Sequence, residues 1–158
     1  MITFKTVVDV EEVNGAAVQD FMLNCTDEQY KRWWPGTHRS FHTTRRYPGG
    51  VGNQVYFDEY VGRYRLKFHA VVAENLPGRK IAWQMKAGVR LPGWLVMEFE
   101  DRPGGVRIIH SVCIGYEGIG RALDPLLRLF FPERFEEELN RHAQTEFPRL
   151  GERLRIDS

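Results

Sequence analysis

The sequence predicts an α+β fold, in which one antiparallel sheet of seven strands packs against two short helices and a long C-terminal helix. Three observations predict this class. The hydrophobic pattern alternates near the N-terminus, takes helical spacing over two short segments, and alternates again from about residue 41 to residue 115. Turn sequences rich in Gly and Pro, such as "PGG" and "RPGG", divide the second alternating region into short segments. Helical spacing then returns for the rest of the chain.

Length and composition predict one domain, residues 1–158, with a substantial core, because 42% of the 158 residues are hydrophobic and 13% are aromatic. The 22 basic and 21 acidic residues give a net charge of +1, which argues against nucleic-acid binding, since phosphate contacts need a surplus of Lys and Arg. No run approaches the roughly 20 apolar residues of a membrane span. Acidic residues interrupt the N-terminal segment where a signal peptide needs an apolar stretch. We therefore expect a cytoplasmic protein.

The first strand and both short helices have local signals. Residues 3–13, "TFKTVVDVEEV", alternate as a half-buried strand does. Asn14 can cap a short helix, and residues 26–29, "TDEQ", have the form of a capping box at the start of a second one. Pro35 and Gly36 are expected to end that helix. Its apolar side is formed by Tyr30, Trp33 and Trp34.

The remaining strands and the last helix follow from turn and capping chemistry. The predicted strands are 41–47, 53–61, 64–74, 80–86, 94–101 and 106–115. Asp124 and Pro125 form a good N-cap and first-turn pair for the long helix. Pro132 and Pro148 are expected to kink or restart it.

The last helix has two polar residues on its apolar side. The apolar stripe is formed by Phe135, Leu139, Ala143, Leu150 and Leu154. His142 and Glu146 lie within or at the edge of this stripe, one turn apart. An imidazole and a carboxylate at this spacing can converge on one metal ion. The alternative is a His–Glu hydrogen bond at the margin of the buried face.

Three further histidines need separate interpretations. His38 and His42 are four residues apart, but an extended segment separates such positions by about 13 Å, so they are not expected to share an ion. His38, in the loop after the tryptophans, is freer to enter the interior, whereas His42 is expected at the surface or rim. His110 lies in an apolar strand and can point inward, although a lone histidine there is more often a core residue.

Glu59 is a carboxylate on the apolar side of a predicted strand. Alternation in "NQVYFDEYV" places Glu59 on the same face as Val55 and Phe57. A buried ionised Glu is costly unless it is paired or bound to a metal. The alternative is a register one residue different, which places Asp58 inward.

The order of elements resembles the START/Bet v 1-like superfamily, also called SRPBCC or polyketide cyclase-like. The segments that carry the resemblance are "VNGAAVQDFMLNCTDEQYKRWWPG", "PGGVGNQVYFDEY" and "PERFEEELNRHAQTEFPRLGERL". The resemblance implies a helix-grip fold, in which a curved sheet surrounds the C-terminal helix. It also implies an internal cavity that binds a small hydrophobic or aromatic, polyketide-like molecule.

Within that superfamily, the site pattern resembles the zinc-dependent diacetylphloroglucinol and phloretin hydrolases. Their site combines an early His and Glu with a His-x-x-x-Glu pair on the C-terminal helix. His142 and Glu146 match that pair in type and spacing. By this resemblance His38 is the best candidate for the early His, with His69 as a rival, and Glu59 is the candidate for the early Glu.

The resemblance implies zinc or another divalent metal and the hydrolysis of a bond between an acyl group and a phenol ring. The candidates for the proton donor to the leaving ring are Tyr56, Tyr60 and His110. The candidates for aromatic walls around the substrate are Trp33, Trp34, Trp83 and Trp94, although large core aromatics are commoner. The alternatives are a metal-free carrier of a hydrophobic ligand and a metal-free cyclase.

Overall fold

A computed structural model describes residues 1–115 and 133–156, which contain seven strands and three helices. The strands are β1 (Ile2–Glu11), β2 (His38–Arg45), β3 (Gln54–Val61), β4 (Tyr64–Leu76), β5 (Lys80–Ala87), β6 (Val89–Arg102) and β7 (Gly105–Ile114). The helices are α1 (Gly15–Asn24), α2 (Asp27–Trp33) and α3 (Glu133–Ile156). None of these helices is long and apolar enough to cross a membrane.

The strands form one antiparallel sheet in the order β1-β7-β6-β5-β4-β3-β2. Helices α1 and α2 carry the chain from one edge of this sheet to the other. β1 pairs with β7 along its whole length, from Ile2 opposite Ile114 to Glu11 opposite Gly105. The arrangement confirms the predicted α+β class and the seven-stranded sheet.

The sheet wraps around α3. This helix contacts both β1 and β3, which are five strand spacings apart in the sheet order. In a flat sheet those strands would be about 24 Å apart, whereas a helix with its side chains is about 10–12 Å wide. The sheet must therefore bend, and a cavity remains between its concave face and α3.

Two predicted strand starts are wrong. β2 begins at His38 rather than at residue 41, and β6 begins at Val89 rather than at residue 94. A register shift follows His38, so that His38 and Phe41 are both buried although they are three residues apart. That shift breaks the alternation on which the prediction relied. The turn before β6 is formed at Gly88, whose positive φ of 73° suits glycine, and not at the "RLPG" sequence.

Helix α3 continues through Pro148 and does not restart there. Proline removes one backbone hydrogen bond from a helix interior. Pro148 is exposed, but Phe147 and Leu150 beside it are buried in the core, and their packing holds this part of the helix in place. Asp124, Pro125 and Pro132 lie outside the described residues.

The predicted caps fix where α1 and α2 begin. The side chain of Asn14 accepts a hydrogen bond from the amide three residues later, at 2.8 Å. Thr26 and Gln29 form the complete capping box. With the start of α2 fixed, Tyr30 and Trp33 both point into the core, where each is less than 5% exposed.

Trp33 connects α2 to α3, because its Nε1 donates to the backbone carbonyl of Glu146 at 2.8 Å. We expect Trp33→Phe to lower the free energy of unfolding by about 1–3 kcal/mol, since the donor and part of a buried ring are lost. Urea denaturation followed by circular dichroism measures this. Trp94→Phe is the matched control, because Trp94 is only half-buried, and its cost should stay under about 1 kcal/mol. Equal effects would contradict the role assigned to Trp33.

Candidate metal centre

The space between the sheet and α3 is a largely apolar cavity of about 280 Å³. Its walls come from the sheet and from one face of α3, with Met22 of α1 and Tyr30 of α2 completing the lining. The large apolar side chains that line it include Phe57, Phe68, Leu95, Met97, Phe135 and Phe147. Such a volume and lining fit a small hydrophobic molecule.

One end of the cavity holds a cluster of two imidazoles and two carboxylates. In His38, Glu59, His142 and Glu146, one possible ligand atom per residue lies within 4.8 Å of each of the others. Glu59, His142 and Glu146 line the cavity, and His38 is buried behind them. The structure thus brings together the four residues that the sequence and the resemblance indicate.

Local geometry explains why these four side chains meet. His38 on β2 is paired directly opposite Glu59 on β3, so the two side chains are cross-strand neighbours. His142 and Glu146 are one turn apart on the face of α3 that packs toward the sheet. The inward position of Glu59 agrees with the predicted register. Asp58 points the other way and binds Arg65 through two hydrogen bonds, at 2.9 and 2.7 Å.

Each imidazole in the cluster faces both carboxylates. Nε2 of His38 lies 3.1 Å from Oε1 of Glu146 and 3.8 Å from Oε2 of Glu59. Nε2 of His142 lies 3.5 Å from Oε2 of Glu146 and 3.7 Å from Oε2 of Glu59. All four groups therefore converge on a common point.

The hydrogen bonding of His38 prepares its other nitrogen to bind a metal. Nδ1 lies 3.2 Å from the carbonyl oxygen of Tyr30, and because a carbonyl only accepts, Nδ1 carries the hydrogen. In the neutral ring, Nε2 then presents a lone pair toward the carboxylates. The Nε2 atoms of His38 and His142 are both buried, and neither has a hydrogen-bond partner among the described residues. Buried polar atoms are rarely left in this state, and a cation between these donors would satisfy them.

The charges in the cluster shift the pKa values of its members. Burial alone raises the pKa of Glu59, but its interactions with His142 and His38 outweigh burial and hold the pKa below its usual value. Burial disfavours protonation of His142, but the charges of Glu146 and Glu59 outweigh burial and raise its pKa. Without a metal, a proton on His142 thus partly neutralises the two carboxylates.

Solved structures match this architecture over nearly the whole chain, although no model of a known protein family and no curated protein matches the sequence. Ara h 8.0201 is 14% identical to this chain. The match covers 98% of both chains and has a TM-score of 0.64. TTHA0849 from Thermus thermophilus is 11% identical to this chain, and the match covers 99% of both chains with a TM-score of 0.66. Major latex-like protein 151 from Panax ginseng is 11% identical, covers 90% of this chain and 98% of its own, and has a TM-score of 0.57.

The chain has a Bet v 1-like, helix-grip fold. Identities this low show the fold alone. Any conclusion about function must therefore come from the residues of this helix-grip cavity.

The four tryptophans do not form the cavity walls, which corrects the prediction from the sequence. Trp33 packs edge-on against His38, with ring centroids 4.5 Å apart, and Trp34 stacks on His142 at 4.7 Å. Trp83 is buried in the core, and half-buried Trp94 alternates with Leu95, which faces the cavity. Phenylalanine, leucine and methionine line the helix-grip cavity instead. Trp33 and Trp34 support the two histidines from behind.

Tyr56 is placed away from the cavity, which corrects its assignment as a proton donor. Its ring lies 5.6 Å from that of His42 and 5.0 Å from that of His69, and these three residues form a cross-strand row on the convex face. Because His42 and His69 lie in this row on the convex face, neither is placed to be the early histidine of the cluster.

Tyr60 and His110, the other two candidate proton donors, differ in whether they line the cavity. Tyr60 lines a separate outer groove together with Trp34 and Arg141 and does not line the cavity. His110 lines the cavity, and its buried Nδ1 has no hydrogen-bond partner in the part of the chain that the structure describes. Burial lowers the pKa of His110, so a neutral imidazole is favoured. Among the three proposed donors, only His110 faces the helix-grip cavity.

Tyr30 is a member of the site that the sequence prediction missed. It was assigned only to the apolar side of α2, yet its hydroxyl donates to Oε2 of Glu59 at 2.6 Å. Burial raises the pKa of Tyr30 well above its usual value, so the hydroxyl keeps its proton. The capping box that fixes the start of α2 was the available signal, because it determines which residues of this helix point inward.

The raised pKa of His142 predicts how pH affects the metal-free protein. When the pKa of a histidine is higher in the folded protein than in the unfolded chain, its protonation stabilises the fold. For His142 this stabilisation is complete below the pKa of the unfolded chain, near 6.5, and it is lost as pH rises through the pKa of the folded protein. In the presence of a chelator, the free energy of unfolding should therefore fall above about pH 6.5, by up to about 1.4 kcal/mol per pH unit. Urea denaturation at a series of pH values measures this.

The control for the pH series is a matched pair of variants. In His142→Gln the free energy of unfolding should fall much less above pH 6.5. In His69→Gln, which changes a residue on the convex face, it should depend on pH as in the parent protein. A parent protein that is equally stable or more stable at pH 8 would contradict the assignment.

Proposed function

We propose that this protein is a metal-dependent hydrolase that cleaves a carbon–carbon bond in a small aromatic ketone of the acylphenol type. The single observation that carries the proposal is the cluster at the end of the apolar cavity. Two buried imidazole nitrogens, which have no hydrogen-bond partner within residues 1–115 and 133–156, face two carboxylates there. The domain over residues 1–158 would act as one ligand-binding unit.

The residues that would hold the ion are His38, Glu59, His142 and Glu146. Two imidazole nitrogens and two carboxylate oxygens suit zinc or another borderline divalent ion. A bound ion of this kind supplies a Lewis acid for a carbonyl oxygen and lowers the pKa of water beside it.

The other cavity residues would bind the substrate and move a proton. Phe57, Phe68 and Phe147 offer apolar surfaces for an aromatic ring, and they exclude bulk water from the rest of the cavity. The overall reaction adds water across the bond between the acyl carbon and the ring carbon. It gives a carboxylic acid and a ring that carries hydrogen in place of the acyl group. His110 is placed to exchange a proton with that ring.

A metal-free carrier of a hydrophobic ligand is the second candidate, and a metal-free cyclase would use the same cavity. The observation that favours a carrier is the largely apolar lining, which binds a ligand whether or not the cluster holds an ion. The two classes differ in what the four polar residues do. In a carrier they are a hydrogen-bonded structural group, and in the hydrolase they hold the reactive centre.

Metal content tests the hydrolase directly. After zinc reconstitution and gel filtration, elemental analysis by mass spectrometry should find about one zinc ion per chain, as expected for a four-donor site. His142→Ala and Glu146→Gln should reduce zinc to background, because each removes one donor from a buried site. The zinc-loaded parent protein should also release a carboxylic acid from an acylphenol, and the two variants should not.

The matched controls are His42→Ala and His69→Ala, which remove histidines outside the cluster and should retain zinc. A parent protein that binds no zinc, cobalt or manganese would contradict the hydrolase. So would cluster variants that retain the metal of the parent protein.

Ligand binding tests the cavity independently of the metal. Leu95→Trp should fill the cavity and weaken the binding of anilinonaphthalene sulfonate at least tenfold, because Leu95 lines it. Val96→Trp introduces the same side chain at the next, half-buried position of β6 and should leave binding unchanged. Fluorescence titration measures both affinities. Equal affinities for the two variants would show that the probe does not bind in this cavity.

A further inference from the structure

We infer that Tyr30 is a positioning residue that holds two of the four metal ligands, His38 and Glu59, in their binding geometry. This inference rests on the proposed metal centre. The hydroxyl of Tyr30 is engaged in the hydrogen bond to Glu59, so it serves the cluster as a donor to one of the ligands. Tyr30 acts from α2 on one residue of β2 and on one of β3.

The hydroxyl of Tyr30 fixes the orientation of the Glu59 carboxylate. It donates to Oε2 at 2.6 Å, and this is the Glu59 oxygen that lies 3.8 Å from Nε2 of His38 and 3.7 Å from Nε2 of His142. A carboxylate held in this way cannot rotate freely about its last torsion. The oxygen that faces the imidazoles is therefore selected before an ion arrives.

The backbone and ring of Tyr30 fix His38. The carbonyl accepts from Nδ1 of His38 at 3.2 Å, which sets the tautomer and leaves Nε2 free to ligate. The phenol ring stacks on the imidazole with centroids 3.9 Å apart and planes 5° from parallel. Three separate contacts from one residue thus restrain two ligands on different strands.

The position of Tyr30 is itself well fixed. The capping box of Thr26 and Gln29 sets the start of α2, and Tyr30 is 1% exposed within the core. Its ring also packs edge-on against Trp33 and Phe41, at 5.7 and 5.4 Å. Removing only the hydroxyl should therefore leave the fold intact while Glu59 loses its hydrogen bond.

Tyr30→Phe tests the hydroxyl without removing the ring or the carbonyl. Competition with a chromogenic zinc chelator should show zinc affinity about 10–100-fold weaker than in the parent protein, the usual effect of losing a hydrogen bond to a metal ligand. Thermal melts of the metal-free proteins should coincide within a few degrees. The cobalt(II) form should also change its visible absorption, because Glu59 becomes free to bind through both oxygens.

Tyr56→Phe is the matched control, since it removes a tyrosine hydroxyl on the convex face of β3, away from the cluster. It should bind zinc as the parent protein does and give the same cobalt spectrum. Zinc affinity of Tyr30→Phe within twofold of the parent protein, or an unchanged cobalt spectrum, would overturn the positioning role while leaving the metal centre in place. A parent protein that binds no metal would overturn both.

Discussion

Two carboxylates in one buried corner are the constraint on which the rest of the structure depends. Glu59 and Glu146 lie in the same cluster, and burying ionised carboxylates without compensation is costly. Compensation requires positive charge between them, carried by a protonated imidazole or by an ion. Both histidines point at that position. The docking of α3 against β3 is thus coupled to the occupant of the cluster, because α3 supplies one carboxylate and one imidazole.

The lining of the cavity combines polar and apolar surface. Glu59, His142 and Glu146 are the lining residues that belong to the cluster, and most of the remaining lining is apolar, with Arg65 and Lys67 of β4 as further polar members. A ligand with one polar group and an aromatic body can place each part against a surface of matching polarity in such a space. His110 adds one polar position along the sheet wall.

Local patterns predicted the parts of this site that lie within one element. Helical spacing was sufficient for His142 and Glu146, and strand alternation was sufficient for the inward side of Glu59. The strand position of His38 was not predictable, because a register shift does not appear in the hydrophobic pattern. Contacts between elements, such as the hydrogen bond from Tyr30 to Glu59, depend on packing. The tryptophan prediction failed because side-chain size does not indicate whether a ring lines a cavity or supports its wall.

The pairing of the first strand with β7 also has a consequence for biosynthesis. Strands β2 to β7 can add to one another as the chain leaves the ribosome, but β1 must wait for β7 before it has a partner. Pairings of such long sequence separation fold slowly. His38 and Glu59 emerge long before α3, which follows β7. A nascent chain therefore presents only two of the four cluster residues, and the cluster is complete only after the helix docks.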